Sequence, residues 1–400
     1  MPLNDKVAAA TAAHRGLNGK APLIVQVLCD QAAIHGLKPS EWDLLVRQGR
    51  SSWLLGRLAW TLQKTGLLGH VPLQARHHLK SALSMVQRQN SALQWEVRCL
   101  LLETSNANVP LTLLKGAAYA VLNLQAAGGR AFSDIDIIVP KAAIGTVESE
   151  LMLHGWQNGD LDPWDERYYR QWMHEIPPLA HITRGTTIDV HHTILPETAK
   201  IRVNTAALFA SMEPIAGLDG VQTLSCLDMV LHSATHLFHE GELEKGLRDL
   251  FDIDSLLREF SDTNPAFWSA LAARARELGL QRPLFYALRY CQGLLQTSIP
   301  EELMRLVSVD APSRLTLHIM DWCYVRALRP SHPASRLPGN WLARFTLYVR
   351  SHWIRMPAHL LVIHLGRKLW MRVTESAPSP NIEPAKDKPN VPRPDGLSHQ

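Results

Sequence analysis

Nothing in this chain of 400 residues invites a disulfide or zinc-finger reading. Its five cysteines (Cys29, Cys99, Cys226, Cys291 and Cys323) are scattered, odd in number and form no CxxC, so they read as reduced thiols. Strong charge of either sign is missing, and a formal net charge of +4 asks for no nucleic-acid partner. Uncharged apolar runs near the roughly 20 residues that span a bilayer are also missing. Residues 1–20 are small and polar and lack the apolar stretch of a secretory leader, so the expected location is the cytoplasm. No reliable internal repeat is visible.

What is present is a globular composition. With 46% hydrophobic and 20% charged residues, the chain can bury a real core, and its length admits two or three domains. Residues 1–107 read as a helical region. Its elements are a helical pattern from Pro22 to Gly36, a helix opening at Pro39-Ser40-Glu41-Trp42 with Ser40 as N-cap, and a successor ending near Gly66 and Gly69. A long helix from Leu73 to Thr104 follows, with Leu79, Leu83, Met85, Val86, Leu93, Val97 and Leu101 on its apolar side. The texture changes over 108–195. A short strand, Val109–Leu114, stops at Lys115-Gly116, and a helix runs from Ala117 to Gln125. After a central strand comes a helix from Lys141 to His154, stopped by Gly155, then a strand pair, 176–182 and 186–192, turning at Arg184-Gly185. That order implies an α/β or α+β domain. Residues 196–330 read as helices near 204–212, 224–239, 243–260, 265–279, 281–296, 301–308 and 313–328. Residues 331–375 hold a basic amphipathic segment (340–373) suited to an anionic membrane surface, a partner or its own domain. The tail, 376–400, is Pro/Ser-rich and expected to be disordered.

The stretch Arg130-Ala131-Phe132-Ser133-Asp134-Ile135-Asp136-Ile137-Ile138-Val139-Pro140 organises the rest. Side chains alternate along a strand, so Asp134 and Asp136 share one face while Ile135 and Ile137 point to the other. Paired carboxylates repel unless a cation lies between them, and oxygen donors of this kind suit Mg²⁺ with substrate phosphates. Two further pieces can converge on the pair. One is Leu114-Lys115-Gly116, a strand end running into a helix, where Gly116 admits a phosphate and Lys115 adds a positive charge. The other is Thr187-Ile188-Asp189-Val190-His191, a carboxylate on an adjacent strand. Three carboxylates on neighbouring strands can hold two Mg²⁺ ions about 3.5–4 Å apart for in-line phosphoryl or nucleotidyl transfer.

Together these motifs resemble the nucleotidyltransferase superfamily that includes DNA polymerase beta, and within it the bacterial group of uncharacterised nucleotidyltransferases. The resemblance is specific over about 108–195 and looser over the flanking helices. It implies an α+β fold: a small mixed β-sheet core embedded between an N-terminal helical segment and a C-terminal helical domain. It also implies Mg²⁺-dependent transfer of NMP from an NTP, ATP being the expected donor. Asp134, Asp136 and Asp189 would be the catalytic and metal-binding carboxylates, and Lys115 and Gly116 the phosphate loop. That loop departs from the commoner Gly-Ser form, and Gly116 stands 18 residues before Asp134, a longer interval than usual in the superfamily.

Other polar residues extend the expectation. Arg130 leans towards a phosphate contact over an Asp pair, and Ser133 towards orienting the loop. His191 shares the face of Asp189 and can reach the acceptor, a metal or a carboxylate. His232 and His236 lie on one helical face at i,i+4 and, with Asp249, are candidates for acceptor binding or support. Without the glutamate of HExxH they do not indicate a metalloprotease. The expected partners are an NTP and a small-molecule, glycan or peptide acceptor. Two other classes remain: a non-catalytic nucleotide-binding or assembly protein, and a membrane-surface accessory protein of a polysaccharide or export system.

Overall fold

The run Ile135–Ile138 is short, β-branched and buried at every position, and a mixed sheet is built around it. The computed structural model describes residues 21–159, 163–239, 241 and 243–356. The strands are β1 (Leu111–Leu113), β2 (Ile135–Ile138), β3 (Trp156–Asn158), β4 (Leu179–His181), β5 (Thr187–His191), β6 (Glu213–Pro214) and β7 (Val221–Thr223). Their order across the sheet is β3-β4-β5-β2-β1-β7-β6. The central pair, β2 and β5, is parallel; β1 is antiparallel to β2 and parallel to β7; β4 closes an antiparallel hairpin on β5. The hairpin turns at Arg184-Gly185, with Gly185 at φ +68°, a conformation that costs glycine little.

The helices before the sheet are α1 (Leu23–Cys29), α2 (Pro39–Ser51), α3 (Leu55–Lys64) and α4 (Leu73–Glu103). Within it lie α5 (Lys115–Val121), α6 (Ile144–Leu153), α7 (Pro163–Trp172) and α8 (Thr205–Ala210). Beyond it come α9 (Cys226–His239), α10 (Gly246–Thr263), α11 (Phe267–Leu278), α12 (Gln281–Leu295), α13 (Glu301–Val307), α14 (Arg314–Ala327) and α15 (Asn340–Arg355). The α+β architecture is therefore as expected, a mixed sheet with helices before and after it. One contiguous apolar cluster runs from Ile24 to Leu347. Polar anchors fix the parts to each other. Arg184, from the β4–β5 turn, reaches α4 through Glu96 at 2.8 Å and Glu103 at 2.9 Å. Arg274 of α11 holds the fully buried Asp228 of α9 at 2.8 Å.

Several local expectations are corrected. The sheet draws β6 and β7 from beyond residue 195, and β3, a three-residue strand, lies in a stretch with no strand pattern. The helix after β1 begins at Lys115 rather than Ala117 and ends at Val121. Ser40 is not the N-cap of α2: Pro39 takes its first position, and the Lys38 N–H donates to the Glu41 carboxylate at 2.8 Å. Met85, placed on the apolar side of α4, is 55% exposed because the flank of α4 at that point faces outward. Expectations for residues 1–20, 357–373 and 376–400 lie outside the described residues. Among the described residues no helix is long and apolar enough to cross a membrane.

Candidate active site

The parallel register of β2 and β5 sets Asp136 directly opposite Asp189, Ile135 opposite Ile188 and Ile138 opposite His191. Neighbouring strands lie about 4.8 Å apart, so the two carboxylates face one cleft side by side. Alternation sends Ile135 and Ile137, 2% and 0% exposed, into the core on the other face. The cleft, about 320 Å³, is floored by Lys115, Asp134, Asp136, Glu175, Asp189 and His191 from the sheet side. Its helical wall supplies His236, Lys245, Arg248 and Asp249.

Two of the carboxylates have opposite electrostatics. Asp136 Oδ1 accepts from Lys115 Nζ at 3.2 Å and His191 Nε2 at 3.1 Å. Burial alone would raise its pKa, but the Lys115 charge and the His191 bond hold it well below the ordinary carboxylate range. Lys115 is held protonated in turn, because the charges of Asp136 and Glu175 outweigh its burial. Asp189 has only the nearby His191 charge as a counterweight. Burial, then the charges of Asp136 and Glu175, push its pKa up to about 7, and its Oδ1 is buried without a hydrogen-bond partner. An orphaned carboxylate oxygen beside a like charge is what a hard divalent cation would stabilise, and an all-oxygen donor set suits Mg²⁺.

The remaining sequence-predicted residues separate into two groups. Asp134 lies at the cleft; Ser133 donates to Asp134 Oδ1 at 3.0 Å and accepts from Lys245 Nζ at 3.2 Å. His236 lines the cleft and His232 is 3% exposed on the same face of α9; burial first, then the Lys115 charge, keeps both rings neutral. Asp249 reaches the cleft while accepting from Arg248 at 2.6 Å. Gly116 and Arg130 behave differently. A Cβ at Gly116 would meet the Arg130 guanidinium first and then the Phe132 ring at 2.8 and 2.9 Å, so the residue is a packing point beneath both side chains. Arg130 pairs with Asp252 of α10 at 2.7 Å, and Arg57 takes the other oxygen of Asp252 at 2.6 Å. Arg130 thus has an Asp partner in Asp252, and its side chain also borders the cleft.

Sequence reasoning missed Lys245, Arg248 and the pair His174-Glu175. The first two stand at the start of α10, with no motif to mark them. His174 and Glu175 lie at a bend just before the apolar run that opens with Ile176, where periodicity says nothing. Glu175 bridges to His191 of β5, and His174, Glu175 and His191 bring one ligand atom each within 4.8 Å of one another. Among the described residues the three aspartates do not close to that distance as a set.

A family model described as "Uncharacterised nucleotidyltransferase" matches residues 38–296. No curated protein and no solved structure matches the chain.

Proposed function

Because the chain belongs to the uncharacterised nucleotidyltransferase family, we propose that its cleft moves an NMP from an NTP, with ATP as donor, to a hydroxyl or phosphate acceptor. The observation that carries this reading is the register of β2 on β5, which sets Asp136 beside an Asp189 whose buried oxygen has no partner. Asp134, Asp136 and Asp189 line one cleft and would hold Mg²⁺ there through an all-oxygen donor set. When bound, Mg²⁺ neutralises charge on the triphosphate and polarises the reacting oxygens.

The chain's own residues divide the remaining work. Lys115 and Lys245 flank the aspartates and supply fixed positive charge for the phosphates. His191 and Lys115 keep Asp136 ionised. Asp189 faces the cleft across from Asp136 and is the carboxylate placed to orient an acceptor hydroxyl. His236 and Asp249 project from the helical wall and are placed to choose the acceptor, a small molecule, glycan intermediate or peptide.

The test is isothermal titration with Mg·ATP, and label transfer from radiolabelled NTPs, for wild type and Asp134→Ala/Asp136→Ala. Loss of both binding and transfer in the double variant supports the reading. Unchanged ATP affinity and metal dependence overturns it, and binding without any transfer in the wild type favours a non-catalytic nucleotide-binding role.

One observation favours a second reading, contact with an anionic membrane surface. Helix α15 buries Ala343, Leu347 and Ser351 but leaves Trp341, Phe345 and Trp353 exposed at 74%, 58% and 51%, among the cations of a basic segment. Flotation with phosphatidylserine vesicles should carry the wild type, and not Trp341→Ser/Phe345→Ser/Trp353→Ser; equal flotation removes this reading.

A further inference from the structure

The most compact group of metal-ligating atoms among the described residues is not the aspartates but His174, Glu175 and His191. Glu175 Oε2 stands 3.3 Å from His191 Nδ1 and 3.8 Å from His174 Nε2. A tetrahedral zinc ion with bonds of about 2.0–2.2 Å has ligand–ligand edges of ~3.4 Å. One edge is therefore already of metal length, and the other needs only a small side-chain movement. The 3.3 Å contact is not a formed hydrogen bond: His191 Nδ1 is buried without a partner of that kind.

The other nitrogen of His191 completes the pattern. Nε2 lies 3.1 Å from Asp136 Oδ1, an acceptor-only carboxylate that holds the proton on that nitrogen, while Nδ1 faces Glu175 Oε2 at 3.3 Å, where a bound metal ion would take the place of any Nδ1 proton. Metal-ligating histidines have this arrangement: the outward N–H is given to a carboxylate, which fixes the tautomer and the ring orientation. His174 lies beside His191, ring centroids 5.2 Å apart, on a bend that lets two sequence neighbours turn to one point. All three residues line the cleft, so a fourth position can remain open to it.

We propose that His174 Nε2, Glu175 Oε2 and His191 Nδ1 form a binding site for one Zn²⁺-class transition-metal ion, separate from any Mg²⁺ on the aspartates. Two imidazoles and a carboxylate are softer than the all-oxygen aspartate set, and they favour Zn²⁺ or its first-row neighbours over Mg²⁺. Three protein ligands with an open fourth position are the pattern of a site that also contacts a ligand in the cleft. Occupancy would tie the segment before β4 to β5. It would also link the ion to Asp136 through the His191 ring. The proposal does not depend on nucleotidyl transfer.

The experiment uses the full chain, stripped with chelator and dialysed, then titrated with Zn²⁺ against a chromophoric competitor, with metal per chain measured by mass spectrometry. Wild type should hold about one zinc ion per chain. His174→Ala and Glu175→Gln should each lose stoichiometric binding, whereas Asp134→Asn should keep it. Asp136→Asn should weaken it by about 10–100-fold, as removal of an outer-shell carboxylate does. Zinc retained by both ligand variants, or none bound by wild type, overturns the site. If the variants fail to fold, Co²⁺ added to wild type decides: an intense tetrahedral visible spectrum supports the site, and only the weak spectrum of hydrated cobalt overturns it. Loss of zinc in Asp134→Asn alone would move the ion to the aspartates and overturn it as well.

Discussion

Asp136 and Asp189 lie directly across from each other on adjacent parallel strands, yet only Asp136 has cations against it. Asp189 is left with a buried, unpartnered oxygen and a pKa of about 7. Replacing it with asparagine removes a charge that both burial and Asp136 disfavour. Asp189→Asn should therefore stabilise the protein without ligand by about 1 kcal/mol, the usual sign of a site strained for function. The same change should abolish the stabilisation given by Mg·ATP. Thermal melts with and without Mg·ATP check both halves, and a variant with the wild-type ATP response would put Asp189 outside the site.

Gly116 makes a different prediction, because its role in the structure is packing. A methyl group there meets the Arg130 guanidinium and also the Phe132 ring at 2.8 and 2.9 Å, closer than Cβ atoms approach other heavy atoms. Overpacking of this kind costs about 1–3 kcal/mol, so Gly116→Ala should lower the denaturant midpoint. Adding Phe132→Leu should return part of the loss. If the glycine serves only phosphate approach, Gly116→Ala will weaken ATP binding at unchanged stability.

Asp136 on β2 was legible because Ile135, Ile137, Ile138 and Pro140 define a strand, whose period of two decides which faces meet; Asp134 stands one residue before the strand begins. The third carboxylate was legible for the same reason on β5. The short strands β3, β6 and β7 were not: two or three residues carry no period. Helices α9 to α14 were recovered nearly in full because each repeats its apolar face over two or more turns. The Arg130–Asp252 pair was not legible, for another reason. Its members stand 122 residues apart, and only the packing of α10 on the sheet's connections brings them together. His174 and Glu175 escaped notice because a bend has no pattern, although their neighbour His191 was already marked by its place on β5.

Asp252 should be costly to remove. It is 3% exposed and holds both Arg57 and Arg130, at 2.6 and 2.7 Å. Truncating it leaves two guanidinium groups buried without their counter-charge, a change of about 3–5 kcal/mol. Asp252→Ala should show that loss in guanidinium titrations. Arg130→Met, which leaves the Arg57–Asp252 pair intact, should cost less and leave ATP affinity near that of wild type. A large fall in ATP affinity with little loss of stability would return Arg130 to a phosphate-binding role.

Acid should destabilise this protein from just below neutrality, and His239 is the residue through which that is measured most cleanly. It is 4% exposed at the end of α9, and its Nδ1 lies 3.1 Å from the Thr235 carbonyl oxygen. Burial, then the charges of Arg350 and Arg355, lower its pKa from 6.5 to about 3. The unfolded chain takes up a proton at this ring once the pH falls below about 6.5, and the native protein does not until about 3. The native state therefore loses stability progressively across that window, and the ring contributes no pH dependence above it. His174, His232 and His236 are shifted in the same direction by burial, whereas Asp189 and His191 are shifted up and oppose the loss, so the His239 contribution is read as a difference between two proteins. Between pH 7.5 and 4.5, wild type should lose about 2–3 kcal/mol more than His239→Gln, which cannot protonate there. Urea titrations of both proteins at several pH values give the two slopes directly, and equal slopes would mean that the His239 ring meets water in the native state.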